Sequence, residues 1–169
     1  FSGGARVRLQ SWQFVCVTRG REAASFYVSG RPSGSTDLPP HSAAAPRMHH
    51  ALLGRTLDGL VDNMWVWGRE LHAHEVQSMY SDGDPSVTLD GAPDSYFQLE
   101  SSPGVLDVQA LVNGTDTFTV QMWVRPDDDR GVQPIFQIPA EPHSTVTEQT
   151  DVIAISHGFF VGIINGSVL

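Results

Sequence analysis

The chain of 169 residues is long enough for one domain with a single buried core, and it is short for two complete domains. With 40% hydrophobic residues, 16 Gly and 11 Pro, its composition is typical of short elements separated by many turns, which favours β structure. Residues 1–80 carry a charge of +2, from eight Arg and six acidic residues, whereas residues 81–169 carry a charge of −11, from two Arg and thirteen acidic residues. Because so acidic a segment repels phosphate backbones and anionic bilayers, nucleic acid binding and membrane insertion are excluded as functions.

Runs of apolar and alternating residues predict strands along most of the chain. The runs at residues 12–18 and 24–29 are separated by a short segment that contains Gly20, which predicts an antiparallel hairpin. Residues 31–47 are rich in Pro, Ser, Ala and Gly and have no periodicity, so they are expected to form a long surface loop. Further strands are expected at residues 51–54, 60–67, 96–100, 117–125, 135–138, 152–155 and 159–164.

The run at residues 60–67 predicts a strand with two distinct faces, because side chains alternate in an extended chain. The expected faces are Leu60, Asp62, Met64 and Val66 on one side and Val61, Asn63, Trp65 and Trp67 on the other. Cys16 lies inside an earlier apolar run, where a single thiol is expected to act as a small buried hydrophobe.

One helix is expected, from Ala73 to Tyr80. His72 at the cap position indicates where the helix starts, because the carboxylate of Glu75, three residues later, can accept a hydrogen bond from the backbone N–H of His72. Leu71 can also pack on Val76 as a hydrophobic staple. A polar break at residues 81–85, rich in Asp, Gly and Pro, follows the helix and is the strongest candidate for a boundary.

Several segments together resemble a known family. Residues 57–71 and 75–80, with Gly54-Arg55 before them, are similar to the closing part of laminin-G-like domains of the concanavalin A-like type, and residues 12–30 are similar to the hairpin that precedes it. Residues 89–99 and 118–126 resemble the opening of the same family. The resemblance implies an all-β fold, an antiparallel β-sandwich of the jelly-roll type with one short helix near residues 72–80.

The order of these segments is reversed along the chain, with the ending first and the beginning second. The simplest interpretation is tandem modules, with residues 1–80 as the C-terminal part of a first sandwich, residues 81–87 as a linker and residues 88–169 as the N-terminal part of a second. The alternative is one circularly permuted sandwich, because the two segments together hold about one domain's worth of strands.

Motifs for catalysis are missing from the sequence. Glycosidases that this family resemblance includes carry a strand with the spacing Glu-x-Asp-x-x-Glu, which places an acid and a nucleophile in one cleft. That spacing does not occur in this sequence. The Gly-x-Ser-x-Gly elbow of a serine hydrolase is also absent. We therefore expect a protein that is not an enzyme and has no catalytic residues.

Calcium is the candidate cofactor, because hard cations bind carboxylate and carbonyl oxygens on turns. The candidate ligands are Asp58, Asp62, Asp90 and Asp94, although Asp next to Gly or Pro is also ordinary turn chemistry. The indole rings of Trp65 and Trp67 are candidates for stacking on sugars, and core packing is the alternative for both.

Two N-glycosylation sequons, at Asn113 and Asn165, are each followed by Gly, which is typical of exposed tight turns. Together they favour a secreted or cell-surface glycoprotein, and the abrupt start at Phe1 indicates a segment of a longer protein. The expected function is a non-catalytic module for adhesion that binds glycans or extracellular proteins. The alternatives are a structural repeat of a fibre or coat, which self-assembles with other modules of the same protein, and an accessory domain beside a catalytic one.

Overall fold

The structure is a computed structural model that describes residues 8–38, 51–53, 57–83, 93, 95–97, 104–106, 117–128, 130–138, 159–164 and 167–168. Within these ranges the chain forms eleven strands and one helix. In chain order they are β1 (Gln13–Arg19), β2 (Ala23–Val28), β3 (Arg31–Asp37), β4 (Ala51–Leu53), β5 (Gly59–Trp67), α1 (Ala73–Asp82), β6 (Ser95–Phe97), β7 (Gly104–Leu106), β8 (Phe118–Pro126), β9 (Val132–Ile138), β10 (Phe159–Ile164) and β11 (Ser167–Val168).

The strands form two antiparallel sheets. The first, sheet A, has the order β3-β2-β1-β8-β5-β6, and the second, sheet B, has the order β11-β10-β9-β4-β7. All strand pairs within the two sheets are antiparallel. This arrangement confirms the predicted fold class, an antiparallel β-sandwich with one short helix.

Each sheet contains strands from residues 1–80, which we call the first segment, and strands from residues 88–169, which we call the second segment. In sheet A, β8 lies between β1 and β5, and in sheet B, β4 lies between β9 and β7. The division of the chain at residues 81–87 into two modules stays a prediction, as does its alternative, a single permuted sandwich. The structure shows that the strands before the division are hydrogen-bonded directly to strands that follow it.

The main core fills the space between the sheets, because alternate residues of β1, β2, β5 and β8 point toward sheet B. Val17 and Val120 face each other across β1 and β8, and both side chains are buried. Ile135 and Phe136 of β9 belong to the same cluster. The full set of buried residues in this cluster is Val15, Val17, Ala24, Phe26, Val28, Leu57, Met64, Val66, Phe118, Val120, Met122, Val124, Ile135 and Phe136.

A second cluster lies on the outer face of sheet A, where α1 packs against the strands. Val76 and Met79 are the buried residues of α1. They pack with Phe14, Cys16, Tyr27, Trp67 and Leu71. Cys16 is a buried free thiol, as predicted, and burial raises its pKa well above the ordinary range. The sheet therefore carries apolar side chains on both faces.

The predicted faces of residues 60–67 are wrong for the first part of the strand. The pairing of β5 with β8 shifts between Asp62 and Trp65, where β5 has one extra residue, and Asn63 has a left-handed φ of 48°. This β-bulge reverses the alternation. Met64 and Val66 face the main core as expected, but Val61 now shares their side, so Leu60 and Asp62 lie on the outer face.

Further boundaries differ from the sequence prediction: β9 begins at Val132 and not at residue 135, and the short strands β7 and β11 were not predicted. Residues 31–37 form β3 rather than part of a loop, because Ser29 and Gly30 have φ values of 51° and 72° and make a tight two-residue hairpin turn of the type that joins twisted strands. The helix continues two residues beyond Tyr80 to Asp82, and Gly83, whose φ is 73°, is its C-cap. The strand predicted at residues 152–155 lies outside the described residues.

Candidate functional site

Six side chains on the outer face of sheet A form a surface beside α1, which we call the aromatic patch. Leu60 of β5 and Arg125 of β8 are register partners, and Arg125 lies over the ring of Trp12, the residue that directly precedes β1, so the three side chains form one row. A second row is formed by Trp123 and Asp62, which are register partners on β8 and β5. Tyr80, at the C-terminal end of α1, borders this second row. The patch therefore combines three aromatic rings with a guanidinium, a carboxylate and one aliphatic side chain.

The indole ring of Trp12 is the most open ring of the patch. Its side chain is 43% exposed, although indole rings usually lie in the core. The guanidinium carbon of Arg125 lies 6.0 Å from the ring centroid, so the cation covers one face of the ring. The Nε atom of Arg125 in turn lies 3.7 Å from an Oδ atom of Asp127. These contacts place a cation against the Trp12 ring, which remains 43% exposed.

A group of packed rings supports the other side of the patch. Phe14 is buried beneath the surface and packs edge-on against Trp123, with ring centroids 5.8 Å apart, and against Tyr80, at 5.7 Å. The ring centroids of Tyr80 and Trp123 lie 6.3 Å apart at an interplanar angle of 32°, so the two rings are neighbours. Tyr80 remains 39% exposed. Edge-on aromatic pairs of this kind fix ring orientation.

The position of Tyr80 depends on how α1 is attached to the sheet. At its start, Glu75 accepts the backbone N–H of His72 at 2.8 Å and two hydrogen bonds from Arg69, at 2.7 and 3.1 Å. The hydrogen bonds from Arg69 lower the pKa of Glu75. At the other end, Gly30 leaves room for Tyr80, because a Cβ atom there would lie 2.8 Å from that side chain.

The polar groups of the patch are directed by local structure. The Asp62 side chain accepts the backbone N–H of Asn63 at 2.7 Å, which is the hydrogen bond that caps the bulge of β5. Asp62 on β5 and Arg125 on β8 therefore supply the patch with one acceptor and one donor group. A carboxylate and a guanidinium beside exposed rings can hydrogen-bond to hydroxyl groups of a ligand that stacks on those rings.

The structure separates the two Trp residues predicted to stack on sugars. Trp65 is half-buried on the outer face, against the cluster beneath α1. Trp67 is only 1% exposed, so the prediction that it stacks on a ligand is wrong. It is buried because α1 folds back over this end of β5. The sequence did not identify Trp12 and Tyr80 as site residues, because the exposure of their rings depends on strand register and helix packing.

The calcium candidates Asp58 and Asp62 are not brought together. They lie four residues apart along extended chain, which separates their Cα atoms by about 13 Å, and a calcium ion binds oxygens at about 2.3–2.6 Å. The backbone groups of Asp58 bond instead to Gln133 and Asp127. Asp90 and Asp94 lie outside the described residues, so calcium binding there stays a prediction. In the described part of the chain, no group of three or more His, Cys, Asp or Glu side chains could hold a metal ion.

The sequons at Asn113 and Asn165 also lie outside the described residues, and glycosylation at both stays a prediction. No helix among the residues that the structure describes is long and apolar enough to cross a bilayer.

Comparison with known proteins identifies the family of the first segment. Residues 1–77 match the laminin G family model described as the concanavalin A-like lectin/glucanases superfamily. No curated protein and no solved structure matched the chain. The match covers β1 to β5 and the first half of α1, and it includes Trp12, Leu60 and Asp62 of the aromatic patch. The segment formed by residues 1–77 belongs to a laminin-G-like domain of the concanavalin A-like lectin/glucanase superfamily, a fold of carbohydrate- or protein-binding modules.

Proposed function

We propose that this chain is a non-catalytic, extracellular carbohydrate-binding module, and that the aromatic patch is its sugar-binding surface. The observation that carries the proposal is the Trp12 ring, which is 43% exposed and has the guanidinium of Arg125 over it. Membership of residues 1–77 in a superfamily of lectins and glucanases supports carbohydrate as the ligand class.

The chemistry of the patch suits a sugar better than a purely apolar ligand. One face of a pyranose ring presents C–H groups, which pack on an aromatic ring, while its edge presents hydroxyl groups that need hydrogen-bond partners. Trp12 and Trp123 offer the rings, and Asp62 and Arg125 offer the partners within the same two rows. Because Arg125 and Phe14 already hold these rings, little side-chain entropy is lost on binding.

A protein ligand is the second candidate, and the exposure of Leu60 favours it. Leu60 is 43% exposed next to Arg125, in the same row as Trp12. Trp, Tyr and Arg are the residues that most often dominate binding energy at protein interfaces, and an exposed aliphatic side chain adds apolar area that a sugar does not need.

An array of immobilised neutral and acidic glycans, followed by calorimetric titration with the best ligand, tests the proposal. Trp12→Ala should weaken binding roughly tenfold, because a stacked ring contributes about 1 to 1.5 kcal/mol beyond its burial. Trp12→Phe keeps a ring at the position and should retain most of the affinity. Arg21→Ala, in the exposed turn at the opposite end of β1 from Trp12, is the matched surface control and should bind like the unchanged chain.

Two results would count against glycan binding at the patch. The first is no binding to any glycan on the array by a chain that melts cooperatively. The second is equal affinity for the Trp12→Ala variant and the unchanged chain, which would move the site elsewhere. Leu60→Ala separates the two candidates, because it should lower the affinity for a protein partner and leave the affinity for a sugar nearly unchanged.

A further inference from the structure

In sheet A, the strands formed by residues 8–83 are separated by a gap one strand wide between β1 and β5, which we call the slot. β1 and β5 both belong to this first segment, yet they pair with β8 and not with each other. β8 enters the slot along its length, with Phe118 opposite Arg19 and Val124 opposite Gln13 on the β1 side. The central strand of the sheet is thus supplied by a part of the chain that follows α1.

The second segment has a matching gap in sheet B. β9 and β7 both follow α1, and the strand between them is β4, which precedes it. The two segments therefore interlock, each supplying a strand to the other's sheet. The main core is shared in the same way, since Val15 and Val17 pack with Val120 and Met122.

We propose that the two segments are complementary units, and that the slot between β1 and β5 of one copy can accept β8 from a second copy of this chain. The strand register and core contacts are identical in both arrangements, which differ only in the path of the residues that join α1 to β6. Exchange of an identical element between copies is a low-cost route to association, because it requires no new interface. The charges of +2 and −11 on the two segments also attract a second segment to a first.

Complementation between two full-length variants tests this inference. One variant carries Val15→Asp and Val17→Asp, which place charges in the first segment's share of the core, and the other carries Val120→Asp and Met122→Asp in the second segment. Each variant is unfolded in denaturant and refolded by dilution, alone and as an equal mixture. The readouts are thermal melting followed by circular dichroism and mass by light scattering.

Neither variant should melt cooperatively alone, because every intramolecular sandwich then contains buried unpaired charges. The mixture should regain a cooperative transition with about half the amplitude of the unchanged chain, since one of the two possible sandwiches is intact. Its mass should be twice the 18.4 kDa of the single chain. If the mixture does not recover a transition under conditions in which the unchanged chain refolds, exchange between copies is ruled out.

The matched control pairs two variants whose lesions both lie in the first segment. Val15→Asp with Val17→Asp is mixed with a full-length variant carrying Met64→Asp and Val66→Asp in β5. No combination of these chains contains an intact first segment, so the mixture should stay without a transition. Recovery in this control would overturn the proposal, because whole segments would then not be the units that exchange.

Discussion

Glu75 shows how a single side chain can determine the start of an element. Its two carboxylate oxygens bond to Arg69 and to the backbone N–H of His72 at the same time, so one residue both joins α1 to the preceding turn and satisfies the free amide at the helix cap. The sequence prediction of this cap, with Leu71 and Val76 buried beside it, is confirmed.

Replacing Glu75 with Gln should destabilise the folded chain by about 1 kcal/mol at neutral pH, because Gln can still accept the His72 amide hydrogen but loses the charge that strengthens the hydrogen bonds from Arg69. Because hydrogen bonds from Arg69 lower the pKa of Glu75, the unchanged chain holds this stability above the ordinary Glu pKa of about 4.3. It loses the stability as pH falls through the lowered value. Urea unfolding of both chains between about pH 3 and 7 should show a difference that shrinks as the pH falls.

Glu22→Gln is a control for this measurement, because it removes the same charge from an exposed turn. It should leave the stability nearly unchanged at all pH values. A constant difference between the Glu75 variant and the unchanged chain across the pH range would contradict the role given to its carboxylate.

Individual strands depend on close backbone approach as well as on apolar side chains. The start of β5 is one such place, because Gly59 lies against the carbonyl oxygen of Arg125 on β8. A Cβ atom at this position would overlap that oxygen and could not be relieved by side-chain rotation. Gly59 therefore allows the two segments to pair where β5 begins.

Gly59→Ala should destabilise the fold by about 2 to 3 kcal/mol, in the range expected for overpacking. Gly131→Ala is the matched control, because Gly131 also has a positive φ, of 71°, but a Cβ atom there would meet nothing within 4 Å. Its cost should be about 1 kcal/mol, from backbone strain alone. Chemical denaturation measures both, and equal costs would mean that β5 does not approach β8 as described.

At the scale of the whole molecule, stability depends on the two segments together. The main core takes Val15, Val17 and Met64 from the first segment and Val120, Met122 and Phe136 from the second. Without the second segment, both sides of the slot in sheet A would expose unpaired backbone groups, which costs free energy wherever water cannot replace the lost partners.

A chain that ends at Gly83 should therefore show no cooperative thermal transition, although it retains the outer cluster beneath α1. Circular dichroism and binding of a hydrophobic dye measure this, and the full-length chain in the same buffer is the reference. Cooperative melting of the shortened chain would show that residues 8–83 are stable on their own, contrary to a shared core.

Local pattern was sufficient for much of this protein. Alternating apolar residues predicted β5 and β8, because a period of two buries one side of an extended chain, and a short continuous apolar run predicted β1, which is buried on both sides. The Leu71, His72 and Glu75 spacing determined where α1 begins. The motifs of residues 57–71 and 75–80 also indicated the family, and the match of residues 1–77 agrees with them over the part that it covers.

Only the tertiary structure decided which residues form the candidate site. The bulge at Asn63 reversed the faces of β5, α1 covered Trp67, and the register of β1 with β8 placed Trp12 beside Arg125. Each of these outcomes depends on contacts between residues far apart in the sequence. Exposure of a side chain is a property of what packs on it, so a Trp destined for the core and a Trp left open to a ligand have the same local sequence pattern.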